Sequence, residues 1–422
     1  MEPPGLLHVT PGARTRFLLR PSSMNAAPWR WLETRKWIVL LALVGLAARL
    51  ILIALRQGSV TFYDERDYDF LARSLLEGRG FAGVHGVTAF RPPGQAVFMA
   101  LVYAVAGPSP VAVHAVQALL LTLLPFAAAR LGRLISGHPA VPIGAAALVA
   151  LHPALTYSCT TLYPVTLTAL LLASTVLASL NALEAGEPRW VLAAGSSVSL
   201  LALTTPYFVL MIPAVIGLLL LRRRWGACAA VAGIALVLVG GWMARNRAVI
   251  GAAALTTGGG YNLALGANDQ ATPRSGNWIE PPLASIPDDE AERDAAYGRL
   301  ARDWIAANPV RWTGLALARA VFVLDSVGKP ATRGAHDGLL ARAAGWAMLP
   351  VTLLGLAGLW RERRRLASLL TAGALGCVVI ASAATLVKPR FRFPCDPLLA
   401  PFAVAAGARR RRTEDRSVDT GS

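Results

Sequence analysis

Lysine is nearly missing from this chain: it occurs only at Lys36, Lys329 and Lys388, so the basic charge is almost wholly arginine, a compositional bias on which no function rests. Cysteine is also scarce. Cys159, Cys228, Cys377 and Cys395 show no metal-ligand spacing and three of them fall in or beside apolar runs, which argues against a disulfide framework. The six histidines are scattered, with His85 nearest the acidic stretch described below and His152 ahead of Pro153; neither has ligand spacing. No cofactor is called for, and a divalent metal finds no support in the sequence. Gly258-Gly259-Gly260 has no following Gly-Lys-Ser/Thr and no strand-helix context, which excludes a nucleotide-binding loop and leaves the expectation of a flexible turn.

What is present is apolar length. Of 422 residues 55% are hydrophobic and only 15% charged, and the apolar residues are bunched into runs long enough to cross a bilayer. The fold expected is an all-α polytopic membrane protein. A window of about 19 residues gives about ten spans, near 37–55, 111–131, 140–157, 163–182, 189–205, 207–221, 226–243, 343–360, 366–387 and 397–408. A net charge of +17 would suggest nucleic acid in a soluble protein. Here the arginines stand in clusters between apolar runs, where they set topology, and no nucleic-acid partner is expected.

Arg130/Arg133, Arg189, Arg222–Arg224, Arg361–Arg365 and Arg409–Arg412 fall on one side if both termini are cytoplasmic. The expected organisation is a disordered cytoplasmic tail over 1–36, a membrane domain over 37–408 and a basic cytoplasmic tail over 409–422. Two large outward loops, about 56–110 and 245–342, complete it. Gln95 to Ala106 is too short to span and suits a helix in the interface, and Val310 to Leu324, which carries Arg311 and Arg319, is expected as an outer-face helix. Tyr68, Leu71, Ala72, Leu75 and Leu76 repeat with helical period and end at Gly78 and Gly80. A second amphipathic helix opens at Asp288-Asp289-Glu290 and stops at Asn308-Pro309.

The chemistry is expected where charge is most costly to place. Phe62-Tyr63-Asp64-Glu65-Arg66-Asp67-Tyr68-Asp69 follows directly on the first span, and its carboxylates must face water, a cationic partner or a reaction. Asp64 stands where a helix cap belongs, yet a cap needs one acid and explains neither Glu65 nor the aromatic approach through Tyr63. An acid pair at the mouth of a membrane pocket suits a general base and an acceptor-orienting group, with Tyr63 and Tyr68 as pocket residues. Arg91-Pro92-Pro93-Gly94 reads as a stiff turn that points a cation at the same surface. Cations on the outward side run against the usual bias, and there are two such clusters: Arg245 and Arg247 after Trp242, and Lys388, Arg390 and Arg392 interleaved with Phe391 and Phe393 between prolines. A phosphate clamp made of Arg390, Arg392, Lys388, Arg245 and Arg91 accounts for them.

In order along the chain, these motifs resemble glycosyltransferase family 39, the polytopic enzymes related to protein O-mannosyltransferases and to the aminoarabinose transferases of lipid A. The resemblance is carried by Tyr63-Asp64-Glu65-x-x-Tyr68, Gly78-Arg79-Gly80-Phe81, Arg91-Pro92-Pro93-Gly94, residues 242–251, the run around Gly258 to Asp269 and residues 388–398. It implies a GT-C-type fold and a polyprenyl-phosphate-linked sugar donor. It also implies a glycan, lipid or protein acceptor at the outer face of a bacterial cytoplasmic membrane, and inversion at the anomeric carbon. Asp64 falls on the family's base and Glu65 on the acid that helps place the acceptor. Two departures are visible: Asp67 replaces the arginine that precedes the tyrosine in aminoarabinose transferases, and Arg91-Pro92-Pro93 replaces the His-Pro-Pro of protein mannosyltransferases. A carrier or flippase for a lipid-linked or anionic solute is the alternative; against it, the chain shows no half-to-half repeat and its charges gather at one face.

Overall fold

The computed structural model describes residues 28–56, 58–60, 63–273, 283, 285–324 and 339–418. Phe62, Lys329 and most of the expected N-terminal tail lie outside the described residues. The first helix, Pro28–Arg56, begins ahead of the expected Trp37 because the polar turn before the apolar run continues the helix into it. At the other end Asp396–Val418 carries the helical backbone through positions 409–412.

The architecture is helical throughout, apart from a two-residue ribbon pairing Ala82–Gly83 with Gly86–Val87. Among the described residues six helices are long and apolar enough to cross a membrane: Thr34–Arg56, Pro110–Ile135, Val165–Glu184, Trp225–Ile250, Ala343–Arg361 and Leu366–Ala384. Other expected spans are shorter or broken. Residues 140–157 form Ala140–Ala150 and a separate turn Pro153–Ser158, because Pro153 follows a residue held in an extended conformation, His152. Pro188–Thr204 stops where Thr205 turns extended before Pro206, and a short tight helix, Pro206–Leu210, leads into Met211–Leu221. Within Trp225–Ile250, Leu236–Gly240 winds as a π turn.

The main core is aliphatic and small, built where Val165–Glu184, Pro188–Thr204, Leu366–Ala384 and the helix from Asp396 pack together. A smaller core joins Tyr68, Leu71, Ala72 and Phe81 to Ala96, Met99 and Tyr103, so the amphipathic helix Tyr63–Leu76 lies on Pro93–Ala106 by the face its periodicity predicts. Gly78 and Gly80 end that helix with positive φ, as expected. Pro93–Ala106 in turn packs tightly on Pro188–Thr204: a side chain at Gly94 would meet Thr204 Oγ1 at 2.2 Å and its Cα at 2.8 Å. The turn at Arg91 is therefore stiff because of its prolines and close to the bundle because of its glycine.

The triple glycine differs from its expectation. Gly259–Gly266 is a helix, and a Cβ at Gly260 would lie 2.0 Å from the Asp294 carbonyl oxygen of the helix Glu290–Ala307. Gly260 serves close helix packing rather than flexibility, and Tyr261, Ala264, Tyr297 and Ala301 fill that contact. Asp289 caps Glu290–Ala307 by accepting from Glu292 N at 2.8 Å, and Asn308 ends it as expected.

Candidate active site

The charged residues named from the sequence meet at helix ends. Asp64 lies in the first turn of Tyr63–Leu76, Arg91 just before Pro93–Ala106, and Lys388 and Arg390 at the start of the short helix Pro389–Arg392. They line a cavity of about 230 Å³ whose remaining walls come from other helix ends: Tyr163 before Val165–Glu184, Thr204 and Tyr207 at the turn after Pro188–Thr204, and Tyr261 from Gly259–Gly266.

Asp64 is not acting mainly as a cap. Its Oδ1 accepts from Arg91 Nη2 at 2.7 Å and its Oδ2 from Arg390 Nη2 at 3.0 Å, so one carboxylate joins two arginines 299 positions apart. Burial pushes the Asp64 carboxyl up, but Arg91, Arg390 and Lys388 together outweigh it and hold the group below the usual carboxylate range. Burial likewise lowers Arg91, and Asp64, Tyr68 and Asp67 more than restore its charge. Lys388 goes the other way. Burial first, then the neighbouring Arg390, pushes its ammonium down to about 7, and Asp64 offsets only part of this. The floor of the site is Tyr68, buried at 4% exposure with its phenol pushed up to about 12 by burial, and it remains neutral.

Tyr163 places Arg390: the guanidinium carbon lies 4.1 Å from the ring centroid. Tyr207 donates to the Phe391 carbonyl at 3.3 Å and so ties the same short helix down. The loop that presents Tyr163 is pinned from both sides at Leu162. Its N–H donates to Glu65 Oε1 at 2.9 Å, and its carbonyl accepts from Gln95 Nε2 at 3.0 Å. Glu65, at 1% exposure, thus lies behind the cavity rather than in it, one residue and about 100° round the helix from Asp64.

Four further expectations separate in the same way. Tyr63 is 79% exposed and outside the cavity wall, since the first helical turn points it away from Tyr68. Arg245 donates to the carbonyls of Thr88 at 2.8 Å and Phe81 at 3.1 Å and stacks against Trp242, so it holds a loop instead of facing the cavity. Arg392 is fully buried, donating to Thr352 Oγ1 at 2.8 Å and Asp396 Oδ1 at 2.9 Å, with Asp396 also 3.0 Å from His152 Nε2. Asp67 and Asp69, of the stretch whose carboxylates were expected to face water, a cationic partner or a reaction, are partnered: Asp67 accepts from Arg91 Nη2 at 2.7 Å, and Asp69 from Tyr103 Oη at 2.5 Å and Arg73 Nε at 2.9 Å. Tyr163, Thr204, Tyr207 and Tyr261 were not singled out from the sequence, where single hydroxyl residues at helix ends carry no pattern. Among the described residues no three His, Cys, Asp or Glu side chains cluster as a metal site would need.

The arrangement is that of a polytopic membrane protein holding three cations around one carboxylate in a hydroxyl-lined cavity, a place for an anion beside a potential base. Residues 90–242 match the family described as dolichyl-phosphate-mannose-protein mannosyltransferase. The match takes in Arg91, Tyr163, Thr204 and Tyr207, and over that segment of an all-α polytopic chain it agrees with the resemblance read from the motifs. Two solved structures of ArnT from Cupriavidus metallidurans are similar to it. One, bound to undecaprenyl phosphate, shares 15% identity over 87% of this chain and 78% of that chain with a TM-score of 0.39. The other, in the apo state, shares 14% over 88% of this chain and 78% of that chain with a TM-score of 0.42. No curated protein matches the chain.

Proposed function

We propose that the protein is an inverting membrane glycosyltransferase that moves a sugar from a polyprenyl-phosphate donor to an acceptor hydroxyl, with the cavity facing the outer side of a bacterial cytoplasmic membrane. The observation that carries this is the double ion pair of Asp64 with Arg91 and Arg390, together with Lys388 in the same cavity. Three basic side chains face Asp64, and the second carboxylate, Asp67, engages only Arg91 among them, so a lipid-linked phosphate supplies the remaining balance. The family match adds the lipid-phosphate sugar class.

The same geometry gives a sequence of events. The donor phosphate draws Arg91 and Arg390 off Asp64, and as they leave, the carboxylate loses the charges that hold its proton affinity down. The acceptor oxygen then attacks the anomeric carbon while the bond from that carbon to the phosphate oxygen breaks. The acceptor proton passes to Asp64, and the negative charge on the departing polyprenyl phosphate is met by Arg91, Arg390 and Lys388. Tyr68 and Tyr163 bound the pocket that holds the sugar, and Glu65 acts by fixing the Leu162–Tyr163 loop. Arg245 and Arg392 stay outside the phosphate site.

Asp64→Asn tests this. Loss of the base should lower sugar transfer about a thousand-fold, within the range of a general base and the positioning that goes with it. Affinity for polyprenyl phosphate should hold or rise, because the arginines no longer have a competing carboxylate. Transfer at the wild-type rate by folded Asp64→Asn protein would remove Asp64 from the chemistry, and weakened lipid binding would contradict the exchange of partners.

A further inference from the structure

One side chain joins two of the loops that wall the cavity, and it belongs to neither the acid pair nor the cation cluster. Glu290, in the first turn of Glu290–Ala307, uses Oε1 to accept from Ala89 N at 2.8 Å and from the Thr257 hydroxyl, and Oε2 to accept from Thr88 Oγ1 at 2.6 Å. The two loops also touch directly, Thr257 N donating to the Ala89 carbonyl at 3.1 Å. Thr88 passes the constraint on, since its Oγ1 accepts from Phe90 N at 3.0 Å, immediately before Arg91. The Thr88 carbonyl is meanwhile held by Arg245. On the other loop, Thr256 and Gly258 flank Thr257 and line the same cavity as Arg91.

We propose that Glu290 is a positioning residue: its carboxylate fastens the 88–90 strand of chain to the 256–258 turn, and so fixes where Arg91 can reach relative to Asp64 and an incoming phosphate. A carboxylate suits the task because it accepts three hydrogen bonds and donates none, matching two hydroxyls and a backbone N–H that all donate. The misplaced cation at Arg245 has the same role from the opposite side. This rests on the cavity being a lipid-phosphate site, since the effect on function passes through Arg91.

The experiment uses the full chain in lipid nanodiscs with undecaprenyl phosphate as the probe. In Glu290→Ala, backbone hydrogen exchange should rise across 86–93 and 255–260 while Val165–Glu184 exchanges as in wild type, and affinity for the lipid should fall about ten-fold. On an Arg91→Ala background the same substitution should add less than about two-fold, because its effect has already been removed. Glu290→Gln, which keeps acceptor oxygen but presents a donor to the Ala89 N–H or a hydroxyl, should recover part of the affinity. Unchanged exchange in both loops, or losses that multiply independently of Arg91, overturns the assignment. Should Glu290→Ala fail to fold, Thr88→Val and Thr257→Val each delete one bond without stranding a charge and are read by the same criteria. A wild-type protein that binds no polyprenyl phosphate would sink the lipid-phosphate reading, while the exchange measurement would still decide for or against the latch.

Discussion

Arg390 and Arg392 stand two residues apart on one short helix and live in different environments. The Arg390 side chain keeps 22% of its surface exposed, stacks on Tyr163 and reaches Asp64 at the cavity wall. The Arg392 side chain keeps 1% and is spent on Asp396 and Thr352 in the interior, beside His152. Residues at i and i+2 of a helix do not share a face, so a helical turn at Pro389–Arg392 must divide these two cations. Lys388 escapes that rule because it precedes the helix in an extended conformation, which returns it to the cavity with Arg390. Interleaved cations and aromatics are therefore no guide to a shared target until the local backbone is known. The same motif supplies one arm of the proposed phosphate site and one strut of the bundle.

Substitution separates the two arginines. Arg392→Ala leaves Asp396 buried without its cation and should cost about 3–5 kcal/mol of stability, read as a lowered midpoint of thermal unfolding in detergent. The folded fraction should still bind polyprenyl phosphate as wild type does. Arg390→Ala should do the reverse, weakening lipid binding by about ten-fold or more through a lost charge-assisted hydrogen bond, with little change in unfolding. Loss of binding in folded Arg392→Ala would break the comparison by placing both cations in one site.

A smaller effect comes from Lys388. With its ammonium pushed down to about 7 by burial and by Arg390, the charged form predominates below that value and is lost as pH rises through it. Affinity for polyprenyl phosphate should therefore decline above about pH 7, and binding near pH 8 should take up close to one proton, measurable by calorimetry in buffers of different ionisation enthalpy. Lys388→Arg should abolish both the decline and the proton uptake. The smallest change is expected at Tyr163: replacing it by Ala removes the face beneath Arg390 and should weaken lipid binding by about 0.5–1 kcal/mol, whereas Phe, which keeps the ring, should be nearly silent.

The features legible in the sequence were those with a periodic or electrostatic signature. Apolar runs revealed the helices, and the spacing of Tyr68, Leu71 and Ala72 identified the buried face of Tyr63–Leu76. The cost of charge beside a membrane picked out Asp64, Arg91, Lys388 and Arg390, which the fold does bring together. Cost alone could not tell a charge facing a cavity from one satisfied in the interior, and Glu65, Arg245 and Arg392, expected at the site, lie outside the cavity wall. Their partners are backbone carbonyls and N–H groups or residues far along the chain, such as Leu162, Thr88 and Thr352, which no local pattern advertises. Gly260 was read as freedom for a similar reason: a glycine required by a neighbouring helix backbone looks, in sequence, like one required by a turn.

The π turn at Leu236–Gly240 adds a consequence about register. A π turn takes one residue more than an α turn, and each residue advances an α-helix by about 100°. Trp242, Arg245 and Asn246, all beyond that turn, therefore point where a uniform helix from Trp225 would not have sent them. Shortening the segment by a single residue would swing the Arg245 guanidinium roughly a quarter-turn off the Thr88 carbonyl without touching either residue. The alignment between the span and the loop that carries Arg91 is set like the phase of a screw thread, by a count of residues in a turn that carries no charge of its own.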